Sequence, residues 1–325
     1  MEAVEKIDMQ YIKKIENIEF QPVFILGLHR SGTSILYKMI ASTKYFNPVT
    51  AYHLINYNQL IYNHLNNKEE CAKKQLTDLL KKQGQKDRGI DKLKINADFA
   101  EEYGFLLGRK TSQMHITSKN LSLFIELSRK IKFISENNKP ILFKNPYDLS
   151  NFLYIKKVFP NAKFIFIHRH PFKTFSSLNK AVKYLFKSRN PYTTLLFKNY
   201  NIIFDNPLLL CFARFIFSNF SPFGLIHFTL LSSSSIKYYM KNIDKLSKED
   251  YVSIKYEQLC NSPNETMGEI MRFLNIKDTK LDFKGFIKPR KRNLDKNVIK
   301  LQNFIYYNMR KYFDCFGYEP NINEL

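Results

Sequence analysis

The sequence predicts an α/β fold in which a parallel β-sheet is flanked by helices on both faces. Two observations support this prediction: short apolar runs recur along the chain, and segments with apolar residues at helical spacing separate them. No internal repeat is present. Each apolar run is predicted to form a buried strand, and the four runs are PVFIL at 22–26, ILFK at 141–144, KFIFIH at 163–168 and YVSIKY at 251–256.

Helices are predicted between and after these strands, because apolar residues recur there every three or four positions. The helix that starts near Pro171 has its proline in the first turn, where a helix tolerates it. A charged, glycine-containing linker is predicted at 84–94. The predicted helical segments are 33–42, most of 53–83, 118–137, 148–159, the segment from Pro171, 263–275 and 295–313.

The chain of 325 residues is long enough to form one large domain with a substantial core. We predict a single domain over 1–325, whose nucleotide-binding core consists of 20–187 and 250–315. The remaining segment, 188–249, is rich in aromatic residues and interrupted by prolines. We predict that this segment is a helical insertion or lid.

Composition limits the class of protein and suggests the charge of its partners. The chain is 44% hydrophobic and 25% charged, which excludes a disordered chain, a collagen-like repeat and a coiled coil. Its net charge of +22 favours anionic partners. Its four cysteines form no CxxC pattern, and we expect no metal. Without an apolar leader or a long uncharged apolar run, we expect a cytoplasmic protein, with peripheral contact to a membrane left open.

The first motif that carries chemistry is PVFILGLHRSGTSILYKMI, in which a buried strand leads through a glycine-containing turn into a helix. Backbone N–H groups in such a turn, together with the helix N-terminus, bind anions. The spacing is that of a phosphate-binding P-loop, but Thr33 stands where the P-loop lysine would be. The candidate binding residues are Gly27, His29, Arg30, Ser31, Gly32, Thr33 and Ser34.

A second anion-binding motif lies in KFIFIHRHPFKTFSSLNKA. Arg169 comes at the end of a strand, and Ser177 follows eight residues later on the next helix. An arginine can bind phosphate with two parallel hydrogen bonds, and the serine hydroxyl adds a donor. Because open α/β sheets bind ligands at the carboxyl ends of their strands, we expect both motifs to form one site with two phosphate subsites.

These motifs resemble those of the sulfotransferase family, which uses 3′-phosphoadenosine 5′-phosphosulfate (PAPS) as sulfuryl donor. GLHRSGTS is similar to the 5′-phosphosulfate loop PxRSGTT, although His29 replaces the usual proline. Arg169 and Ser177 match the 3′-phosphate motif RDPxDxxxSx, although His170 and Lys173 replace its acidic positions. The resemblance extends to 250–315 and implies a P-loop-like fold and sulfuryl transfer to a hydroxyl or an amine.

The resemblance also implies roles for residues outside the two loops. Lys144, in ILFKNPYD, matches the family's strand-end lysine, which stabilises charge on the transferring sulfuryl group, and Arg30 is assigned to catalysis as well as to binding. Arg290 and Lys291, in the basic segment KGFIKPRKR, are expected to cover the 3′-phosphate.

Sulfuryl transfer to a hydroxyl needs a base within reach of the acceptor oxygen. No carboxylate lies between Thr33 and Lys68, so His53 is the first choice. Glu101 and Glu102 are the second choice, and His115 is the third.

The identity of the acceptor stays open at this point: a small molecule, a glycan or a lipid-linked compound would each suit, and no nucleic acid is expected. The apolar segment 195–231 is predicted to form a wall or lid on the acceptor side. Two other functions remain. A small-molecule kinase using ATP is disfavoured by the missing P-loop lysine. A non-catalytic basic protein that binds membranes or nucleic acid would not need two phosphate motifs.

Overall fold

A computed structural model describes residues 7–84, 87–90, 93–276, 281–287 and 293–322 of the chain. Five parallel strands form one sheet in the order β2-β3-β1-β4-β5, which confirms the predicted α/β class. The four predicted strands are present. The short edge strand β2 was not predicted. The strands are β1 (Pro22–Leu26), β2 (Asn47–Pro48), β3 (Ile141–Lys144), β4 (Lys163–His168) and β5 (Tyr251–Lys255).

Helices cover both faces of the sheet, and none in the described ranges is long and apolar enough to cross a membrane. They are α1 (Thr33–Ser42), α2 (Ala51–Ile55), α3 (Leu60–Leu65), α4 (Glu69–Lys82), α5 (Gly104–Thr111), α6 (Leu121–Ser135), α7 (Phe152–Val158), α8 (Pro171–Lys187), α9 (Pro191–Leu196), α10 (Lys198–Asp205), α11 (Pro207–Ile216), α12 (Phe223–Asn242), α13 (Tyr256–Asn261), α14 (Pro263–Phe273), α15 (Lys296–Lys300) and α16 (Gln302–Phe316). Short 3₁₀ turns occupy Ile7–Lys14, Tyr57–Gln59, Pro146–Asp148 and Ile243–Lys245.

The three central strands are buried on both faces, as expected for a parallel sheet. On one face, Phe24 of β1 is in register with Phe143 of β3 and Phe164 of β4, and their rings stack on it at 5.2 and 5.7 Å. On the other face, Ile25 packs in a second core cluster with residues of α1 and α14 such as Leu36. Apolar burial on both faces therefore holds the sheet between two helical layers.

The strand order decides where the functional motifs meet. β1 lies between β3 and β4, so the loop after β1, the strand-end lysine of β3 and the turn after β4 are neighbours at one edge of the sheet. Because β1 is parallel to both β3 and β4, the carboxyl ends of these three strands lie at the same edge of the sheet. This is the edge at which open α/β sheets bind ligands.

The aromatic segment 188–249 is helical, as predicted, and contains α9 to α12. The last helix of this segment, α12, is buried near one end and exposed near the other. Near its C-terminal end, Tyr239 contacts the ring of Phe166 in β4 at 4.9 Å and belongs to the core. Near its N-terminal end, Phe223 is exposed. The division of the chain into a nucleotide-binding core and an insertion stays a prediction.

Candidate functional site

The loop between β1 and α1 has the tight geometry of an anion-binding turn. Gly32 is the N-cap of α1 and has a φ of 105°, which side chains of L-residues rarely adopt. A Cβ at this position would lie 2.2 Å from the ring of Tyr256, so glycine is required for space as well. Ser31 N–H donates to the carbonyl of Leu28 at 3.0 Å, which closes the turn ahead of the helix.

A cavity of about 1600 Å³ lies in front of this loop. One part of its wall is polar, and Gly32, Thr33 and Ser34 at the start of α1 contribute to it with Arg169 and Ser177. The N-terminus of α1 therefore adds its dipole to the positive charge of the arginine side chain. The other part of the wall is apolar. Side chains from α8, α9, α10, α12 and the turns between them contribute to it, including Leu178, Leu185, Tyr192, Leu196, Phe197, Tyr200, Phe217 and Phe228.

The two predicted phosphate motifs are joined by direct hydrogen bonds. Arg30 Nε donates to Ser177 Oγ at 3.2 Å, and Arg169 Nη1 donates to the carbonyl of Arg30 at 2.9 Å. The Arg169 guanidinium also stacks on the ring of Tyr256 at 4.3 Å. Although 147 residues separate Arg30 from Ser177, β1 and β4 are adjacent, and the two motifs therefore form one site.

The buried polar atoms that have no hydrogen-bond partner among the described residues include Ser31 Oγ and Arg169 Nε. Leaving a buried donor unsatisfied costs about 1–3 kcal/mol. Such atoms are rare in folded proteins, and one explanation for them is a ligand that supplies the missing partner. Both belong to the predicted phosphate motifs, so their hydrogen-bonding capacity fits an anionic ligand.

A buried ion pair lies beside the loop. Lys144 Nζ is 2.7 Å from Glu102 Oε1 and donates to Ser34 Oγ at 3.0 Å. Lys144 is fully buried, whereas Ser34 and Glu102 line the cavity. Burial is the largest influence on the pKa of Glu102 and raises it, but the electrostatic interactions with Lys144, His29 and Arg88 and the hydrogen bond from Lys144 together hold that pKa below the ordinary value of 4.5. Glu102 is therefore ionised at neutral pH.

Glu101, the other second-choice carboxylate, also lines the cavity but is already engaged. Its Oε2 accepts a hydrogen bond from the hydroxyl of Tyr192 at 2.6 Å, and its Oε1 accepts from the N–H of Glu102 at 2.9 Å. Tyr192 belongs to α9, so Glu101 connects the core to the segment predicted as an insertion.

His53, the first-choice base, is not among the described residues that line this cavity. It belongs to the N-terminal cap of α2: its Nδ1 accepts from the N–H of Thr50 at 3.1 Å, and its own N–H donates to Thr50 Oγ1. Burial lowers the pKa of His53 to about 3. His115 does not line the described cavity wall either.

The remaining predicted residues divide into two groups. His29 lines the cavity with its ring edge against Tyr147 at 4.5 Å, and removal from water lowers its pKa, so it is neutral at neutral pH. Arg290 and Lys291 lie outside the described residues. In the described ranges, no group of three or more His, Cys, Asp and Glu side chains could hold a metal ion.

Sequence reasoning missed Tyr256 and Tyr192 as parts of the site. Tyr256 follows β5 directly, so its position at a strand's carboxyl end was a signal that could have found it. Tyr192 had no such signal, because it reaches the cavity through the packing of α9.

The parallel sheet and the paired anion-binding turns at its carboxyl edge define an α/β protein of the P-loop-like class. The family model described as "Sulfotransferase family" matches residues 22–202, which is more than half of the chain. The chain therefore belongs to the sulfotransferase family and is a sulfotransferase, as its motifs predicted. The match includes both phosphate motifs and Lys144.

Solved structures show the same fold. Sulfotransferase STF9 from Mycobacterium avium is 15% identical, with a TM-score of 0.60 over 96% of this chain and 81% of that one. Sulfotransferase STF1 from Mycobacterium tuberculosis H37Rv is 13% identical, with a TM-score of 0.58 over 94% of this chain and 80% of that one. A comparison with curated protein sequences finds no match.

Proposed function

We propose that this sulfotransferase moves a sulfuryl group from PAPS to a hydroxyl group, or an amine, of an acceptor held in the apolar part of the cavity. The observation that carries the proposal is the hydrogen bond between Arg30 and Ser177, since it joins the loop suited to a 5′-phosphosulfate to the motif suited to a 3′-phosphate. When bound, PAPS supplies an activated sulfuryl group.

The residues of the two motifs would hold the two ends of the donor. The turn ending at Gly32, with the hydroxyls of Thr33 and Ser34, offers donors to the phosphosulfate. Arg169 and Ser177 would bind the 3′-phosphate, and we propose that Arg290 and Lys291 add positive charge there. The unpartnered Ser31 Oγ and Arg169 Nε support this assignment, because an anionic ligand would satisfy both.

We assign the catalytic base to Glu102, in preference to His53. Glu102 is ionised at neutral pH, lines the cavity and contacts Lys144, so it can take the proton of the acceptor hydroxyl. Lys144 and Arg30 would offset the negative charge on the transferring group.

The acceptor side is assigned to 188–249, because side chains of α9, α10 and α12 supply part of the apolar wall. A wall of this kind favours an acceptor with an apolar part, such as a lipid-linked compound, over a purely polar glycan. Tyr192 would connect the two sides, since it donates a hydrogen bond to Glu101 and also lines the apolar part of the cavity.

Calorimetric titration with 3′-phosphoadenosine 5′-phosphate tests the donor site. The wild type should bind this bisphosphate, and Arg169→Ala should weaken binding about tenfold to a hundredfold, since a hydrogen bond to a charged group contributes roughly 1.5–3 kcal/mol. Arg272→Ala, an exposed arginine of α14, is the matched control and should bind like the wild type. Equal affinities for the wild type and Arg169→Ala, or tighter binding of ATP with Mg²⁺, would contradict the proposal.

A further inference from the structure

The segment from α11 to α12 exposes an unusual amount of apolar surface. Eight of the eighteen large apolar side chains that are markedly exposed in the described ranges lie between residues 208 and 231. Leu208 is 82% exposed, Phe212 63% and Phe220 93%. Folded proteins seldom leave large contiguous apolar patches in water unless these bind something. We call this set the apolar docking surface, and its members are Leu208, Leu209, Phe212, Phe215, Phe220, Phe223, Leu230 and Leu231.

The outward direction of α11 is fixed by its packing. Leu208, Phe212 and Phe215 follow the spacing i, i+4, i+7 and therefore share one face of the helix. Only Ala213 of α11 is buried. Arg214, on the opposite side of that face, donates to the carbonyls of Phe186 and Lys187 at the end of α8. A helix that is apolar on nearly every side is normally buried, whereas α11, whose sequence is apolar apart from Arg214, exposes most of its side chains to solvent.

The segment that carries this surface has a net positive charge. Residues 188–242 contain five basic side chains and a single acidic one, Asp205. Asp205 is neutralised by Arg189, whose Nη1 lies 2.7 Å from its Oδ1. Exposed aromatic and aliphatic side chains on a chain with a net charge of +22 favour binding at the surface of an anionic bilayer.

We propose that the apolar docking surface binds the surface of an anionic lipid bilayer. A second copy of this chain fits less well, because it would bring two segments of like charge together. The surface is continuous with the cavity: Leu231 is exposed and also lines it, and Phe217 and Phe228 line it from the same segment. An amphiphilic acceptor could thus pass from the bilayer to the site, a consequence that rests on the proposed function.

Vesicle co-sedimentation tests the docking surface on the full chain. Vesicles of phosphatidylcholine containing phosphatidylglycerol should bind the protein, and vesicles of phosphatidylcholine alone should bind it much more weakly. Salt should weaken binding, because screening reduces attraction between the basic segment and anionic headgroups. The double variant Leu208→Ser/Phe212→Ser should lose roughly tenfold or more in affinity. Leu79→Ser, which alters an exposed leucine of α4, is the matched control and should bind like the wild type.

The outcomes separate this proposal from its competitors. Absence of binding to anionic vesicles, or equal binding by the double variant, would overturn it. So would sedimentation equilibrium that finds a dimer in the wild type and a monomer in the double variant, with no vesicle binding by either. Because Leu208 and Phe212 are exposed, the double variant should keep its circular dichroism and its affinity for 3′-phosphoadenosine 5′-phosphate. A failure of bisphosphate binding in the wild type would refute the donor site and leave the vesicle result standing.

Discussion

Lys144→Met should destabilise the protein far more than loss of an ordinary surface charge. Lys144 Nζ lies 2.7 Å from Glu102 Oε1, and the two side chains are 0% and 9% exposed. Removing the ammonium leaves a buried carboxylate without its partner, which costs about 3–5 kcal/mol in comparable pairs. Met fills nearly the same volume as the lysine stem, so a cavity contributes little to the loss.

The pH dependence of this loss identifies its cause. In the wild type the folded-state pKa of Glu102 is depressed, so the pair stabilises the fold above about pH 4.5 and this contribution fades as the pH falls further. In Lys144→Met the pKa of Glu102 should rise, because the variant loses the largest of the influences that offset burial. Glu102 of the variant therefore takes up a proton on folding in acid, which stabilises the folded variant as the pH falls. The difference in unfolding free energy between wild type and variant should shrink from neutral pH toward pH 4.5 and below.

Urea denaturation of the purified variants at neutral and at acidic pH measures this difference. Arg189→Met is the matched control, because Arg189 and Asp205 are also 2.7 Å apart but are 43% and 64% exposed. An exposed pair contributes about 0–1 kcal/mol. The double variant Glu102→Gln/Lys144→Met should recover part of the loss, since no buried charge is then left. Equal losses for Lys144→Met and Arg189→Met, or a difference that does not change with pH, would refute the reasoning.

Two further predictions concern the base and the loop. With an added alcohol as acceptor, Glu102→Gln should slow sulfuryl transfer from PAPS to the alcohol oxygen about a hundredfold or more, measured as release of 3′-phosphoadenosine 5′-phosphate, while bisphosphate binding persists, as loss of a general base requires. His53→Gln should stay within a few-fold of wild type, and the opposite ranking would return the role to His53. Gly32→Ala should cost about 1–3 kcal/mol of stability in urea denaturation and abolish bisphosphate binding, because φ is 105° and a ring lies 2.2 Å from the new methyl group. Gly84→Ala, with a φ of 71° and nothing within 4 Å, is the control that carries backbone strain without the clash.

The strands could be predicted from sequence because a strand that is buried on both faces has a nearly continuous run of apolar residues. PVFIL and KFIFIH are such runs, and both are strands. β2 could not be predicted, because two residues at the edge of a sheet carry no periodic pattern. Its residues are paired because Asn47 N–H donates to the carbonyl of Pro140, a contact that only the tertiary fold supplies.

The site likewise contains residues that a local sequence pattern predicts and residues that only the tertiary fold brings together. Arg30 and Ser177 were found because each sits at a fixed offset from a recognisable strand and helix start. The ion pair between Lys144 and Glu102 could not be derived that way, because no strand end marks Glu102. Its position depends on how the chain between α4 and α5 crosses in front of the sheet, where the backbone of Glu101 donates to the carbonyl of Val49 at 2.9 Å. Long-range placement of this kind leaves no local pattern to read.

The choice of base turns on how burial acts on the two kinds of side chain. His53 was favoured because an unperturbed histidine titrates near neutral pH. Burial disfavours the charged form of either group. For His53 the positive charge of Lys73 acts in the same direction, so its pKa falls to about 3, and its Nδ1 accepts a hydrogen bond in the helix cap. Glu102 meets the same penalty with Lys144 beside it and stays ionised. The carboxylate of Glu102 thus stays charged because the ammonium of Lys144 is buried beside it. Lys144 is 42 residues away in the sequence, so this pairing could not be predicted from the local pattern.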